Sequence, residues 1–317
     1  MRTRNMGRSN ETLTTVGLGT WAHGGGEWKF GWGRQDDAES IRAIHAALDT
    51  GINWIDTAAV YGLGHSEEVL ARALKEWSGA KPFVATKCGL VWDAERNISS
   101  RLSAESVRAE CEASLKRLDL EVIDLYQIHW PKPEDEIEEG WGTVAELIRE
   151  GKVRYGGVSN FSVAQLKRAQ AIHPITSLQP PYSMLERDIE EEILPWCAEH
   201  DVGVIVYSPL QKGLLTGKIT RDYVEAMDDA DHRKTIDPMF REPELSRILE
   251  KIERLKTIAE QLSITVTQLA IAWVLRRPEV TSAIVGARRP DQIQGAAPGG
   301  DVDLSEDTIA EIERILS

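Results

Sequence analysis

The sequence predicts an α/β protein built as a (β/α)8 barrel, the TIM-barrel architecture, with a single domain over residues 1–317. Eight short apolar runs with strand-like composition alternate with helical stretches, a pattern typical of parallel sheets. The runs are evenly spaced along 317 residues, a length that such barrels reach as one domain. The first run is followed by GLGTWAHGGG, which lacks the GxGxxG spacing of an open dinucleotide-binding sheet. Closure into a barrel is therefore favoured.

Each predicted strand is a short run rich in valine, isoleucine, leucine or aromatic residues and bounded by turn residues. In chain order they are TTVGLGT (14–20), NWID (53–56), FVATK (83–87), VIDLYQIH (122–129), VRYGGVSN (153–160), TSLQ (176–179), VGVIVYS (202–208) and SAIVG (282–286). In a barrel of parallel strands the carboxyl ends gather on one face, and the loops there carry the chemistry.

Apolar spacing and capping residues predict the helices. Residues 37–50 place Ile41, Ile44, Ala47 and Leu48 on one face of a helix. The remaining helices are predicted to begin near Ser66 and at Ser103, to run through Leu147 and stop at Gly151, to begin at Ser162, to end near His200, to fill two stretches around 246–276, and to begin at Pro290 and Ser305. Residues 211–243 are one long connection without a clear pattern, and loops of that length are often functional lids.

Composition narrows the class of protein. Lys and Arg number 37 against 51 Asp and Glu, and the net charge of −14 disfavours nucleic acid or an anionic membrane as partners. No apolar stretch approaches the roughly 20 residues of a membrane span, and the N-terminal residues lack the apolar segment of a signal peptide. Cys88, Cys111 and Cys197 form no CxxC pair, which argues against a disulfide framework or a zinc site. A cytoplasmic protein is expected.

Four ionisable residues lie at or just after three successive predicted strand ends: Asp56, Tyr61, Lys87 and His129. A carboxylate, a phenol, an ammonium and an imidazole would thus converge in one pocket. This set suits the transfer of a proton to a carbonyl oxygen while another group delivers a hydride. Singly, each has a simpler interpretation: a turn cap, a loop aromatic, a lysine reaching solvent and a core histidine. Their joint placement favours a catalytic site.

Seven stretches carry a resemblance to a known family. They are GLGTW (17–21), GINWIDTAAVYGLGHSEEVLARAL (51–74), ATK (85–87), DLYQIHWP (124–131), GKVRYGGVSNF (151–161), GVIVYSPLQKGLLTGK (203–218) and SAIVGARRPDQI (282–293). Together, in this order, they resemble the aldo-keto reductases, in the branch of bacterial general-stress proteins and potassium-channel β-subunits. The resemblance covers nearly the whole chain and implies the barrel fold and NADP(H)-dependent carbonyl reduction.

The resemblance assigns roles to the four residues. Tyr61 would be the general acid that protonates the substrate oxygen, with Lys87 making the phenol easier to deprotonate. Asp56 would hold Lys87 charged and in place, and His129 would orient the carbonyl. Cys88 follows Lys87 and is expected to face the opposite side of the strand as a packed thiol.

A cofactor site is carried over in the same way, for NADPH in preference to NADH. Its expected residues are Gly19, Thr20, Trp21 and Asp56 at the first strands; Ser159, Asn160 and Gln179 for the carboxamide; Tyr207 stacked on the nicotinamide; Ser208, Pro209, Leu210, Gln211, Gly213 and Leu214 over the pyrophosphate, with Lys212 and Lys218 for charge; and Gly286, Ala287, Arg288 and Gln292 around the adenosine. Arg288 opens a helix, where an anion is favoured, and is expected to bind the 2′-phosphate. The Glu and Asn that the family often has next are Gly295 and Ala296 here.

Aromatic residues predict an apolar substrate pocket for a ring-bearing or sugar-like carbonyl or alcohol. They are Trp21, Trp28, Phe30, Trp32, Trp92 and Trp130, all at or beyond strand ends on the predicted active face. Two other classes remain open. One is a cofactor-binding partner protein of the same fold with little turnover. The other is a metal-dependent barrel hydrolase, which the lack of an HxH pair disfavours, and no metal ligand is predicted.

Overall fold

The computed structural model describes residues 1–26, 28–228 and 231–317. Within them, the strands are β1 Thr3–Asn5, β2 Thr12–Thr14, β3 Val16–Gly19, β4 Trp54–Asp56, β5 Phe83–Cys88, β6 Leu90–Trp92, β7 Ile98–Ser100, β8 Ile123–Ile128, β9 Val153–Ser159, β10 Ser177–Gln179, β11 Gly203–Val206 and β12 Val280–Gly286. Eight of them, β3, β4, β5, β8, β9, β10, β11 and β12, close into a parallel barrel in that order. The predicted (β/α)8 fold is confirmed.

Helices cover the outside of the barrel. They are α1 Asp37–Asp49, α2 His65–Glu76, α3 Ala104–Leu118, α4 Ile137–Arg149, α5 Val163–Gln170, α6 Ile193–Glu199, α7 Arg221–Glu225, α8 His232–Thr235, α9 Glu244–Gln261, α10 Val266–Leu275, α11 Pro290–Ala296 and α12 Glu306–Leu316. Ser103, Ser162 and Ser305 cap α3, α5 and α12 through their side chains, as the sequence predicts.

Two small hairpins were missed by the sequence analysis. Strands β1 and β2 pair antiparallel across the amino end of the barrel, and β6 pairs with β7 beyond the carboxyl end of β5. Three-residue strands are too short to give an apolar run from which to predict them. The first hairpin brings Met6 and Leu13 into a cluster with Trp54 inside the barrel, where all three are at most 1% exposed.

Packing inside the barrel is tight at the amino end. The Trp54 indole donates to Thr14 O at 3.2 Å and contacts Ser282 Oγ at 3.1 Å. A Cβ on Gly17 would lie 2.1 Å from the Trp54 ring, so this position requires glycine. Because large side chains fill this half, the carboxyl end is left for polar groups.

The long connection from 211 to 243 contains short helices rather than one unpatterned loop. A 3₁₀ turn (Gln211–Thr216), α7, α8 and a second 3₁₀ turn (Pro238–Phe240) follow each other. Leu215 and Phe240 anchor the segment in the core with 0% and 2% exposure. Asp229 and Ala230 of this connection, and Glu27 of the loop after β3, lie outside the described residues.

No single helix among the described residues is both long and apolar enough to span a membrane. The pair α9 and α10 reaches that length and composition only together, and the two helices meet at 89°.

Candidate active site

Four ionisable side chains meet at the carboxyl ends of three adjacent strands. Asp56 ends β4, Lys87 lies in β5, and His129 follows β8 directly, while Tyr61 lies in the turn after β4. Lys87 Nζ is 2.7 Å from Asp56 Oδ2, 2.8 Å from Thr57 O and 3.2 Å from Tyr61 Oη. The four residues are all at least 93% buried, since their exposures are 3%, 5%, 1% and 7% for Asp56, Tyr61, Lys87 and His129.

Lys87 is held by a complete set of acceptors. An ammonium has three N–H donors and no acceptor, and the three contacts use all of them. Burial lowers the pKa of Lys87, and the Asp56 carboxylate opposes that shift. On the far side of Asp56, Oδ1 accepts from Gln179 Nε2 at 2.8 Å and from Gln127 Nε2 at 3.5 Å. The buried ion pair is therefore hydrogen-bonded on both sides, as such pairs must be.

Tyr61 is a neutral phenol. Since Lys87 donates to its oxygen, the phenol O–H remains available to donate elsewhere. Burial and the Asp56 charge raise the pKa of Tyr61 well above its usual value of 10.0. Burial is the larger cause of this shift. Lys87 donates a hydrogen bond to the phenol oxygen, and its role in easing deprotonation stays a prediction.

His129 faces Tyr61 edge-on. Their ring centroids are 5.8 Å apart with an interplanar angle of 76°. Burial, with a smaller contribution from Lys87, lowers the pKa of His129 well below 6.5, so the imidazole is neutral at physiological pH. Asn160 Nδ2 donates to the His129 carbonyl at 2.9 Å and fixes its backbone. A neutral imidazole beside the phenol can donate to a carbonyl oxygen without changing the charge of the site.

Three predicted pocket aromatics gather around Tyr61. Trp21 lies 5.0 Å from both Tyr61 and Trp28, measured between ring centroids. Phe30 lies 5.9 Å from Trp28, and its carbonyl accepts from Trp21 Nε1 at 3.1 Å. The three rings form an apolar wall beside the phenol, which suits a substrate with an apolar or cyclic body.

The other predicted pocket indoles each lie over a cation. Arg233 is 4.8 Å from the Trp32 ring, Arg117 is 5.9 Å from that of Trp92, and Lys132 Nζ is 5.9 Å from that of Trp130. Trp130 is 38% exposed, so this contact does not bury its ring. The ring contacts that reach Tyr61 support Trp21, Trp28 and Phe30 as the pocket, and Trp32, Trp92 and Trp130 stay predictions.

The predicted carboxamide and nicotinamide residues form one hydrogen-bonded shelf on β9, β10 and β11. Ser159 Oγ donates to Gln179 O at 2.7 Å, and Asn160 Nδ2 contacts Ser159 Oγ at 3.0 Å. The hydroxyl of Tyr207 donates to Asn160 Oδ1 at 2.9 Å. Because the side chain of Gln179 donates to Asp56, this shelf is joined directly to the buried ion pair.

The segment predicted to lie over a pyrophosphate has unusual backbone. Ser208, Gln211 and Lys212 have φ of 55°, 44° and 53°, and Gly213 has φ of 104°. Non-glycine residues adopt such angles rarely. Within the turn, the N–H groups of Gln211 and Gly213 donate to the carbonyls of Ser208 and Leu210. Gly213 leaves the backbone open to close approach by an anion, because it has no Cβ.

Several side chains of this segment are committed elsewhere. Leu214 is 0% exposed in the core, so only its backbone can face a cofactor. Gln211 is 3% exposed and accepts from Ser183 Oγ at 2.9 Å. Lys212 Nζ pairs with Asp237 at 2.5 Å, whereas Lys218 is exposed.

The segment after β12 lies beside the end of β3. Gly286 pairs with Gly19 in the strand register, and a Cβ at Gly286 would meet only Gly19 O, at 3.9 Å. Ala287 is buried, and its carbonyl accepts from His23 Nε2 at 2.8 Å. Gln292 Oε1 accepts from the Arg288 backbone N–H at 2.7 Å. A cofactor can therefore approach the backbone closely at Gly286.

Gly295 and Ala296 differ in their surroundings. Space around Gly295 is open, since no atom lies within 4 Å of a Cβ built there. Ala296 is 2% exposed and packs in the core. The open surface at Gly295 leaves room for an adenine without contributing a side chain to it.

Three residues near the cofactor segments were missed by the sequence analysis. His23 bonds the loop after β3 to Ala287, and its pKa is lowered to about 4 by burial. Arg233 pairs with Asp231 at 2.6 Å and donates to Lys212 O at 3.3 Å. Gln35 contacts Arg288 through both ends of its amide. His23 lies in a 3₁₀ turn, Arg233 in the four-residue helix α8 and Gln35 in a loop, and segments this short give no periodic signal.

Glu110 of α3 links that helix to the end of β5. Its carboxylate accepts from Gly89 N at 2.9 Å and from Ser106 Oγ at 3.0 Å. Burial raises the pKa of Glu110 from 4.5 to about 7. The folded state therefore binds more protons than the unfolded state between these values, and stability falls as pH rises through that window.

We expect Glu110→Gln to flatten this part of the pH dependence of stability. The measurement is the thermal midpoint at about pH 5 and about pH 8, with Glu112→Gln, an exposed carboxylate on the same helix, as the matched control. If the thermal midpoint falls by the same amount between the two pH values in the parent and in Glu110→Gln, then Glu110 does not titrate in this way.

Comparison with known proteins identifies the family. The family model described as "Aldo/keto reductase family" matches residues 15–317. The chain belongs to the aldo/keto reductase family. The family assignment agrees with the resemblance seen in the sequence, and relatives in this family are oxidoreductases. Among the described residues, no group of three or more His, Cys, Asp or Glu side chains could hold a metal ion.

This aldo/keto reductase is similar to several bacterial proteins. It is 39% identical over 303 residues to aldo-keto reductase YhdN of Bacillus subtilis (strain 168), covering 95% of this chain and 89% of the relative. It is 35% identical over 314 residues to the NADH-specific methylglyoxal reductase of Escherichia coli (strain K12), covering 95% and 94%. The solved structure of glycerol dehydrogenase AKR11B4 from Gluconobacter oxydans matches with a TM-score of 0.90 and 39% identity, covering 99% of this chain and 94% of that one.

Proposed function

We propose that this aldo/keto reductase reduces aldehydes or ketones to alcohols with NADPH, the proton coming from Tyr61. The observation that carries the proposal is the direction of the hydrogen bonds in the buried cluster. Lys87 donates its three N–H groups to Asp56, Thr57 and Tyr61, which leaves the Tyr61 proton available for a ligand. A buried phenol aimed into an aromatic pocket is suited to protonate a carbonyl oxygen.

The four residues of the cluster have different roles in the proton transfer. The C=O bond becomes a C–O–H group when the carbon gains a hydride and the oxygen gains the Tyr61 proton. The phenolate left behind is stabilised by the Lys87 ammonium at 3.2 Å, which Asp56 keeps charged and oriented. His129 remains neutral and orients the carbonyl oxygen by donating to it. Positioned proton transfer of this kind contributes about 10²–10⁴-fold to rate.

The nicotinamide, when bound, supplies the hydride. We propose that the shelf of Ser159, Asn160 and Gln179 holds its carboxamide and that Tyr207 stacks on its ring. The turn over residues 208–214 would lie over the pyrophosphate, with Gly213 allowing close approach to the backbone. The paired residues Gly19 and Gly286 support close approach of the cofactor to the protein backbone at the carboxyl ends of β3 and β12.

NADPH is proposed over NADH because of Arg288. Arg288 lies in the turn before α11, and its guanidinium makes no ion pair with any carboxylate among the described residues. Such a cation at the amino end of a helix favours a 2′-phosphate. The Escherichia coli relative is NADH-specific by name, so the preference of this chain must be measured.

We propose a small carbonyl or alcohol substrate with an apolar or ring-bearing body. Trp21, Trp28 and Phe30 beside Tyr61 support this choice. Two of the three named relatives are named for their substrates, methylglyoxal and glycerol, which extends the panel of candidates to short, polar compounds.

The test is cofactor consumption with aldehydes, sugars, dicarbonyls and ring ketones, run with NADPH and with NADH. Turnover with NADPH on at least one member supports the proposal. Tight NADPH binding without turnover on any member would overturn it in favour of a cofactor-binding partner protein with little turnover. A single domain over residues 1–317, a cytoplasmic location, and the absence of nucleic-acid and membrane partners stay predictions.

We expect Arg288→Ala to weaken NADPH binding about 10–100-fold and NADH binding far less, because only NADPH offers the phosphate that this guanidinium would bind. The dissociation constants can be measured by quenching of tryptophan fluorescence. Arg289→Ala removes the same charge one residue away, where the guanidinium already pairs with Asp291 at 3.0 Å. Equal losses of both cofactors in Arg288→Ala would show that Arg288 does not bind the 2′-phosphate.

A further inference from the structure

The guanidinium of Arg288 is held in a frame made by the loop between β3 and α1. Arg288 Nε donates to Gln35 Oε1 at 2.7 Å, and Nη1 donates to Trp32 O at 3.1 Å. Nη2 donates to the carbonyl of Arg34. In return, Gln35 Nε2 donates to the Arg288 carbonyl at 2.9 Å. Gln35 therefore binds both the side chain and the backbone of Arg288.

The frame orients Arg288 without neutralising it. Its three acceptors are two carbonyls and an amide, and no ion pair of Arg288 exists among the described residues. The neighbouring arginines differ, since Arg233 pairs with Asp231 and Arg289 pairs with Asp291. A guanidinium has five N–H donors, so two remain for a ligand after these three bonds.

Gln35 lies directly before a capped helix. It immediately precedes Asp36, whose side chain caps α1 by accepting from Glu39 N at 2.9 Å. The amide thus projects from the fixed start of a helix, so it can define where the Arg288 fork lies. A neutral amide is suited to this task, because a carboxylate at the same place would cancel the charge that a phosphate requires.

We propose that Gln35 is a positioning residue for Arg288 and that it sets the preference for NADPH over NADH. The inference rests on the proposed function and deepens it. The amide holds Nε of Arg288 in place, and the free N–H groups of the fork then face the 2′-phosphate. Without the amide, the guanidinium loses its fixed orientation and must be ordered when the phosphate binds.

A merely structural role for Gln35 makes a different prediction. If the contact only tethered the loop that carries Trp28 and Phe30, its loss would weaken NADPH and NADH binding alike. Selective loss of NADPH binding therefore separates positioning of Arg288 from general ordering of the loop.

The experiment measures the dissociation constants of NADPH and NADH for Gln35→Glu and Gln35→Ala by quenching of tryptophan fluorescence. Gln35→Glu keeps the size of the side chain but pairs with Arg288, and we expect NADPH binding to weaken about 10-fold or more. Gln35→Ala should weaken it about 3–10-fold. NADH binding should stay within about twofold in both variants. Gln35→Ala combined with Arg288→Ala should lose little more than Arg288→Ala alone, because the two act through one interaction.

Arg289→Ala is the matched control, and its cofactor preference should equal that of the parent. A parent protein that prefers NADPH, with variants that lose both cofactors equally or neither, would overturn the role of Gln35 and leave the proposed function standing. A parent protein with no preference for NADPH would overturn both the cofactor proposal and this inference. The turnover measured with the substrate panel does not depend on these binding constants, so it tests the reductase activity separately.

Discussion

Replacing Tyr61 with phenylalanine is expected to lower kcat for carbonyl reduction by about 10²–10⁴-fold while NADPH binding changes less than about threefold. The substitution removes one hydroxyl and keeps the ring that packs against Trp21 and Trp28. Lys87 then loses one of its three acceptors but keeps Asp56 and Thr57. The loss should therefore fall on proton donation rather than on the fold.

The measurement is steady-state turnover on the best substrate, with cofactor binding measured on the same preparation. Tyr126→Phe is the matched control, because it removes another buried hydroxyl, 3.4 Å from Val107 O, on the outer side of β8. Turnover in Tyr61→Phe close to that of Tyr126→Phe would remove Tyr61 from the role of acid.

The second large effect is expected from Lys87→Met. This variant removes the donor to Tyr61 and leaves the Asp56 carboxylate buried with only amide partners. Breaking one side of a buried ion pair costs about 3–5 kcal/mol of unfolding free energy. We therefore expect both a marked loss of stability in urea unfolding and a fall in kcat of about 10²-fold or more.

A double variant separates the two consequences. Lys87→Met with Asp56→Asn removes both charges, so much of the stability should return, whereas turnover should not. Recovery of turnover together with stability would mean that the ion pair supports the fold and that the ammonium has no part in the chemistry. Continued instability of the double variant would contradict the assignment of the loss to an unpaired carboxylate.

Much of the fold could be predicted because local patterns and global structure agree. The apolar runs ending at Asp56 and Lys87 are strands β4 and β5, and the serine caps mark helix starts within one residue. The short hairpins could not be predicted, because three-residue strands depend on their partners rather than on their own composition. The short helices in the 211–243 connection were missed because five and four residues are too few to show a helical period.

The aromatic residues show where strand-end position stops being informative. Trp28 and Trp32 lie four residues apart in one loop, yet Trp28 lies 6.0 Å from Tyr61 and Trp32 lies against Arg233. Loop residues have no period that fixes their direction, and only the completed chain determines which cation or ring they meet.

By itself, the sequence predicted the barrel from its alternating strand-like and helical runs, and the family from the resemblance of seven stretches in order. Strand ends pointed to Asp56, Lys87 and His129, with Tyr61 shortly after the first of them. Only the tertiary structure decided which hydrogen bonds those groups make. It joins Gln179 to Asp56 across the barrel and frames Arg288 with Gln35, 253 residues away in the chain. It also sets the protonation behaviour, since burial raises the pKa of Tyr61 and lowers that of His129. Hydrogen-bond direction and desolvation depend on neighbours that are distant in sequence, and these neighbours come together only when the barrel closes.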